Sequence, residues 1–335
     1  MMRYVSTRGG SAPVSFFDAL LAGLAPDGGL FTPQEWPKLR PYWREGANRL
    51  GYAGAAAEAL YLFGADEVSF AGAAELCEAV YGAQGAFAHS AVTPLKQLDA
   101  DVWLMELFHG PSLAFKDIAL QLIAALYDRA LTARDLRLSV VCATSVDTGG
   151  AAVEALKNRD RIDLFVLLPK GRVSEVQRRF MTASGAGNVH AQEVETDFDG
   201  CQALVKALFA DAPFAQDAAL SGVNSINWAR IVAQSAYFLR ASATLASHGP
   251  VNFVVPTGNF GDALSGHVAR RMGAAIGEIL IATNANDMLA CTFRDGVHAN
   301  HRGLLSGDGA DGRSDAVARR VSDAAPGLFV RKCDR

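Results

Sequence analysis

The 335-residue chain is half hydrophobic and one-fifth charged, with a net charge of −4 and a pI near 6.0. That length suits about two domains with a sizeable core. The charge balance leaves no polybasic footprint, so nucleic acid and anionic membranes are excluded as partners. Met1 to Gly10 contain no apolar core of a signal peptide, and no uninterrupted apolar run reaches membrane-spanning length, so the expected location is cytoplasmic. Cys77, Cys142, Cys201, Cys291 and Cys333 are scattered, odd in number and without Cys-x-x-Cys spacing. Neither a disulfide framework nor a metal site is expected, and Cys142 and Cys201 read as small core residues.

In chain order, Ser15 to Leu24 read as a short amphipathic helix, followed by the Pro26-Asp27-Gly28-Gly29 turn and a strand-like Leu30 to Pro33. Residues 50–90 are alanine-rich and helical by periodicity. The apolar run Val102 to Phe108 is broken by Gly110-Pro111, and Phe115, Ile118, Leu122 and Leu126 then mark a helix to about Ala130. Lys116 therefore stands at a loop-to-helix junction. Partial desolvation between Phe115 and Ile118 would lower its pKa and free a neutral amine for Schiff-base chemistry. A solvated surface lysine is the competing reading.

Leu136 to Cys142 read as a buried strand, and Ala143 to Gly150 as a small-residue turn into a helix over Ala151 to Lys157. Free N–H groups and the helix dipole there suit an anion near Thr144, Ser145, Asp147 and Thr148, although Asp147 or Thr148 capping the helix explains the same residues. A second unit follows: strand Leu164 to Leu168, a turn carrying Lys170 and Arg172, and helix Glu175 to Thr182. The two cations could bind a phosphate or lie in solvent. Asn188 to Val194 and Asp199 to Phe209 make another strand–helix pair. Asn224 and Ser225 read as N-caps of a long helix that begins near Arg230 and turns Ile231, Ser235, Phe238, Ser242 and Leu245 inward. Val251 to Pro256 is a buried strand, and the turn through Gly258, Asn259, Phe260, Gly261 and Asp262 can curl backbone N–H groups onto a phosphate before the helix Ala263 to Met272. It is no Walker loop, because Gly-Lys-Ser/Thr is missing. Glu278 to Thr283 supply the next strand. From about 297 the chain is polar and aperiodic. The β-α alternation from 102 to 283 argues for an open, largely parallel α/β sheet with ligands at the carboxyl ends of its strands.

Several of these segments resemble one family. His109-Gly110-Pro111-Ser112-Leu113-Ala114-Phe115-Lys116-Asp117 is similar to the cofactor-lysine segment of threonine synthases, pyridoxal-phosphate enzymes of fold type II. Tyr4-x-Ser6-Thr7-Arg8-Gly9, Ala25 to Pro33, Pro169 to Ser174 with Gln177, Thr196 to Gln202, Asn224 to Arg230 and Thr257 to Asp262 carry the same resemblance, which spans about residues 1–296. It implies an N-terminal helical subdomain over 1–95, a cofactor-binding α/β region over 96–296 with a smaller subdomain at 136–215, and a divergent tail over 297–335.

The resemblance further implies pyridoxal 5′-phosphate held on Lys116, its phosphate cradled by Gly258, Asn259, Phe260, Gly261 and Asp262. Thr144, Ser145, Asp147 and Thr148 would grip the carboxylate of O-phospho-L-homoserine, and Lys170, Arg172, Asn224, Ser225 and Arg230 are candidates for its phosphate. The implied reaction is phosphate loss from Cγ and water addition at Cβ to give L-threonine, in a monomer or homodimer. Val146 stands where the family has glycine; a β-branched residue at such a position is strained by about 1–3 kcal/mol if positive φ is required. The tail is expected to be a truncated or frame-shifted remnant. A catalytically impaired relative and a threonine or serine dehydratase are the competing readings.

Overall fold

A computed structural model describes residues 2–64, 66–144, 147–222, 227–257, 260–283, 293 and 328–332. The chain forms two compact units: Met1–Ala19, Leu24–Glu75 and Ser225–Arg335 make one, and Leu20–Gly23 with Leu76–Asn224 the other. The chain opens with β1 (Tyr4–Ser6), α1 (Phe16–Ala22), β2 (Phe31–Pro33), α2 (Trp43–Gly64) and α3 (Phe70–Tyr81), with β1 and β2 antiparallel.

The second unit holds β3 (Leu95–Asp99), β4 (Val102–Met105), α4 (Lys116–Arg134), β5 (Leu138–Ala143), α5 (Asp147–Leu156), β6 (Ile162–Pro169), α6 (Glu175–Thr182), β7 (Val189–Val194), α7 (Phe198–Ala210), α8 (Ala212–Asp217) and β8 (Leu220–Ser221). Its main sheet is parallel, in the order β7-β6-β5-β8. The chain steps outward from β5 to β7 and then returns to the other side of β5. A right-handed crossover rule puts α5 and α6 on one face and the returning α7 on the opposite one. The switch point therefore lies between β5 and β8. The expected open, parallel α/β sheet is observed.

The first unit resumes with α9 (Trp228–Thr244), a single 3-10 turn at Ala246–His248, β9 (Val251–Pro256), α10 (Gly261–Met272), β10 (Ile276–Thr283) and β11 (Leu328–Lys332). These strands form a parallel sheet, β11-β10-β9. Helix α9 packs against α2 and α10. Close approach to α2 is possible because Ala53, Ala55, Ala56, Ala57 and Ala59 are all buried. Gly266 does the same for α10: a Cβ there would lie 2.8 Å from the Phe238 ring and 3.1 Å from Ile279. Arg230, Gln234 and Phe238 of α9 thus run beside Asp262, Ser265 and Gly266 of α10, with Ser265 Oγ 3.3 Å from Gln234 Oε1. The expected inward face of α9, from Ile231 to Leu245, is buried throughout.

Four local expectations change. Strand β9, expected to be buried, has only Val255 buried, and Val254 is 68% exposed. Asn227, rather than Asn224 or Ser225, caps α9, its side chain accepting the Ala229 N–H at 3.0 Å. The apolar run after 102 is half of an antiparallel ribbon, β3–β4, with Leu98, Val102 and Leu104 exposed. Within the tail read as aperiodic, Leu328–Lys332 pair in parallel with Ile279 to Thr283. Cys77, Cys142 and Cys201 are free and buried.

His267 on α10 is 3% exposed. Burial, with Arg270 and Arg271 nearby, pushes its pKa down to about 4 from 6.5. The unfolded chain then binds a proton that the folded one refuses, so stability present above pH 6.5 is lost as pH falls towards 4. A shift of that size corresponds to at most about 3 kcal/mol. Replacing His267 with Gln should flatten the acid limb of a melting-temperature profile between pH 6.5 and 4; an unchanged slope would assign the acid sensitivity to other groups.

Candidate active site

The lysine segment is built around a carboxylate. Asp117, the second residue of α4, is fully buried. Its Oδ2 accepts the Ser112 N–H at 2.8 Å and its Oδ1 the Ser112 hydroxyl at 2.7 Å. Gly110 lies so close that a Cβ there would fall 2.4 Å from the Asp117 Cβ, which excludes any other residue. Leu113 at the apex has φ 60, a region that bulky side chains avoid. Before this turn, His109 Nε2 lies 2.8 Å from Glu106 Oε2, and the Ala88 N–H donates to the His109 carbonyl at 2.8 Å. Lys116 opens α4 and is 8% exposed, with Nζ 5.9 Å from the Phe115 ring centroid. The sequence reading of a lysine largely removed from water at a helix start is what the fold presents.

At the switch point, Thr144 follows β5 and is buried. Its Oγ1 accepts the Gly149 N–H at 3.1 Å, so a threonine before the helix serves one of the free donors of α5. Asp147 is exposed and Thr148 half-buried at the start of α5. Gly149 has no room for a side chain, since a Cβ would lie 2.4 Å from both Met181 Sδ and Thr144 Cγ2. At the carboxyl end of β6, Lys170 is exposed and paired with Glu195 at 2.6 Å, and Arg172 is exposed. Ser145, Val146, Asn224, Ser225, Gly258 and Asn259 lie outside the described residues.

In the first unit, the loop from β9 to α10 ends in Phe260, which is buried and adopts φ 65 immediately before the helix. Thr257 Oγ1 accepts the Phe260 N–H at 3.0 Å, and its hydroxyl hydrogen-bonds the Asp262 carboxyl. Asp262 Oδ1 also accepts the Ala263 N–H at 2.8 Å. Burial raises the Asp262 carboxyl, opposed by the Thr257 hydroxyl, nearby N–H groups and Arg230. Arg230 is 2% exposed. Burial pulls its pKa down to about 10, while Tyr237 and Asp262 act in the opposite direction. Gly261 opens α10 beside these groups. At the end of β10, the Thr283 hydroxyl is buried and has no hydrogen-bond partner among the described residues.

Among the sequence-derived candidates, Lys116, Thr144, Asp147, Thr148, Lys170 and Arg172 belong to the second unit, all on loops at carboxyl ends of strands or at helix starts. Phe260, Gly261, Asp262 and Arg230 cluster at the start of α10 in the first. Sequence reasoning passed over Asp117, Thr257 and Thr283. Each is ordinary in its local context and acquires a part only through a tertiary neighbour. Among the described residues, no three His, Cys, Asp or Glu side chains are grouped to hold a metal, and no helix is long and apolar enough to cross a membrane.

Comparison with known proteins adds to the geometry. A family profile described as "Threonine synthase N terminus" matches residues 3–81, and one described as "Pyridoxal-phosphate dependent enzyme" matches residues 87–323. The chain is 47% identical over 291 residues to a threonine synthase of Pseudomonas aeruginosa, covering 86% of this chain and 61% of that protein. A threonine synthase of Schizosaccharomyces pombe is 44% identical over 305 residues, at 88% and 59% coverage. The chain thus spans about three-fifths of the length of these curated relatives. A crystal structure of pyridoxal-phosphate-bound threonine synthase from Brucella melitensis superposes with a TM-score of 0.87 at 42% identity, covering 99% of this chain and 78% of that one. The yeast enzyme gives 0.85 at 31% identity, with 98% and 76% covered.

The Thr257 lock generates a test. Thr257→Val keeps the volume but strands the Phe260 N–H, and should lower unfolding free energy by about 1–2 kcal/mol. It should also weaken binding of pyridoxal phosphate measured by equilibrium titration. Unaltered binding would show that the curl of this loop does not depend on the hydroxyl.

Proposed function

The chain belongs to the threonine synthase family of pyridoxal-phosphate-dependent enzymes, and from that membership we propose that it converts O-phospho-L-homoserine and water to L-threonine and phosphate. The observation that carries the proposal is Lys116, largely buried at the start of α4 behind a loop closed by Asp117. A lysine so placed offers a directed amine to the cofactor aldehyde.

The residues fit pyridoxal 5′-phosphate. They supply an amine, a helix start whose N–H groups suit an anion and, in Thr283, a buried hydroxyl with no hydrogen-bond partner among the described residues. When bound, the cofactor supplies an electron-withdrawing ring that stabilises negative charge on carbons next to the substrate nitrogen. The rest falls to this chain. Lys116 Nζ binds the cofactor and moves protons at Cα and Cβ. Gly258, Asn259, Phe260, Gly261 and Asp262 hold the cofactor phosphate. Thr144, Ser145, Asp147 and Thr148 orient the substrate carboxylate. Asn224, Ser225 and Arg230, with Lys170 and Arg172, receive the substrate phosphate. Of these cations, Arg230 is favoured by its burial, because Coulomb attraction to a phosphate is stronger where water is excluded. Lys170 would first have to leave Glu195. The bookkeeping closes: the Cγ–O bond breaks, phosphate departs, and the water oxygen ends on Cβ. The same reading has the reaction run on a free small molecule in the cytoplasm, by a monomer or homodimer.

The purified protein should show a visible absorption band that borohydride bleaches, and Lys116→Ala should lack it. Phosphate release from O-phospho-L-homoserine should fall at least about a thousandfold in the variant. Retained phosphate release would overturn the assignment, and ammonia with 2-oxobutyrate from threonine would move the chain to another activity.

A further inference from the structure

The turn before α4 is held more firmly than a turn requires. One carboxylate, Asp117, accepts both the N–H and the hydroxyl of Ser112, and Gly110 packs directly on its Cβ. The span from Ser112 to Lys116 is thereby closed into a loop tied at one end to the residue that follows the lysine. Leu113 keeps φ 60 inside that loop, a conformation that costs about 1–3 kcal/mol unless its surroundings enforce it. Burial raises the Asp117 carboxyl, Ser112 and the Ala114 N–H oppose the rise, and Glu154 of α5 adds to it. Glu154 is itself paired with Lys157 at 2.7 Å. A buried carboxylate facing another acid is an unfavourable way to close a loop when a neutral amide could accept the same N–H. Its gain is that hydrogen bonds to a charged acceptor are about twice as strong as neutral ones and fix direction more tightly.

We infer that Asp117 is a positioning residue, which through Ser112 fixes the direction in which Lys116 Nζ leaves the helix and so sets the rate at which that amine engages the cofactor aldehyde. The inference rests on the proposed pyridoxal-phosphate chemistry. Asp117 touches neither cofactor nor substrate in this account. It acts through the backbone of the residue before it, and a misplacement of about 1 Å at such an amine can cost on the order of a hundredfold in rate.

The test separates this role from simple support of the fold. Protein stripped of cofactor with hydroxylamine is mixed with pyridoxal phosphate at saturating concentration. Samples are quenched with borohydride at intervals, and the fraction of Lys116 carrying the reduced adduct is read by peptide mass mapping. Asp117→Asn should slow attachment roughly 10- to 100-fold, and Ser112→Ala, which keeps the backbone N–H bond, should slow it less. Asp211→Ala removes a cap of the same kind on α8, where Asp211 accepts the Phe214 N–H at 3.2 Å. It should lower the melting temperature and leave the attachment rate alone. Attachment at the parental rate in both Asp117→Asn and Ser112→Ala, with only the melting temperature reduced, would overturn the positioning role. If Asp117→Asn does not fold, Ser112→Ala decides the question: a slowed rate at an unchanged melting temperature supports the role, and an unslowed rate overturns it. Unmodified Lys116 in the parent protein would instead bring down the cofactor reading itself, and this inference with it.

Discussion

Both units depend on one constraint, the pairing of parallel strands. A parallel ladder needs a crossover after every strand, and the crossover helix covers one face of the sheet while it returns the chain to the starting edge. Every strand therefore ends at the same edge, and every loop that leaves it faces the same way. Thr144 after β5 and Lys170 after β6 lie along the edge of the β7-β6-β5-β8 sheet. In the other unit Thr257 after β9 and Thr283 at the end of β10 do the same, with the Thr257 N–H donating to the Ala282 carbonyl at 3.3 Å. The fold creates those edges before any chemistry is assigned to them.

How much of this could be read from sequence depended on whether the signal was local. Strand β9 was legible to its ends because a β-branched apolar run stops at Pro256, and α6 because Ser174 caps it at Gln177. The inward face of α9 followed from its period. The ribbon β3–β4 was not legible: Val102 to Met105 are apolar on both faces although Val102 and Leu104 are exposed, and its turn has no Asn-Gly or Asp-Gly signature. Helix α5 was expected from Ala151 and starts at Asp147, since the group serving its Gly149 N–H is Thr144, five residues back and outside the helix. For the site the division is the same. Lys116 stands out only by its match to a family motif, while its neighbour Asp117 looks like any acidic residue in a first turn until Ser112 and Gly110 are folded against it.

The glycines separate two requirements that sequence alone merges. Gly110, Gly149 and Gly266 are needed for close approach, because a Cβ at any of them would enter Asp117, Met181 or Phe238. Positive φ in the site loops falls to Gly171, between Lys170 and Arg172, and to two residues with side chains, Leu113 and Phe260. Such a residue can hold that conformation only if its surroundings over-determine it. For Leu113 the surroundings are the Asp117–Ser112 bonds. For Phe260 they are the Thr257 hydroxyl and the burial of its ring, whose centroid lies 5.3 Å from that of Phe293.

A common device follows. A loop at a strand edge must satisfy its backbone N–H groups without closing over the space where a ligand would sit, which rules out pairing them with another strand. Here a side-chain oxygen a few residues away takes the N–H instead: Asp117 for Ser112, Thr144 for Gly149, Thr257 for Phe260, and Asp197 for Gly200 at 2.8 Å. Each bond is short-range in sequence, so the loop keeps its shape without support from across the edge. The first-turn N–H groups of α5, α7 and α10 have no acceptor within their own helices, and an anion can use those that remain. The two site loops that hold a bulky residue at positive φ each involve a carboxylate, Asp117 or Asp262, in the lock. The loop in which Thr144 accepts the Gly149 N–H runs into the glycines of α5. At both positions the acid takes part in holding a strained backbone, which explains why a buried carboxylate is tolerated beside the lysine although burial disfavours its charge.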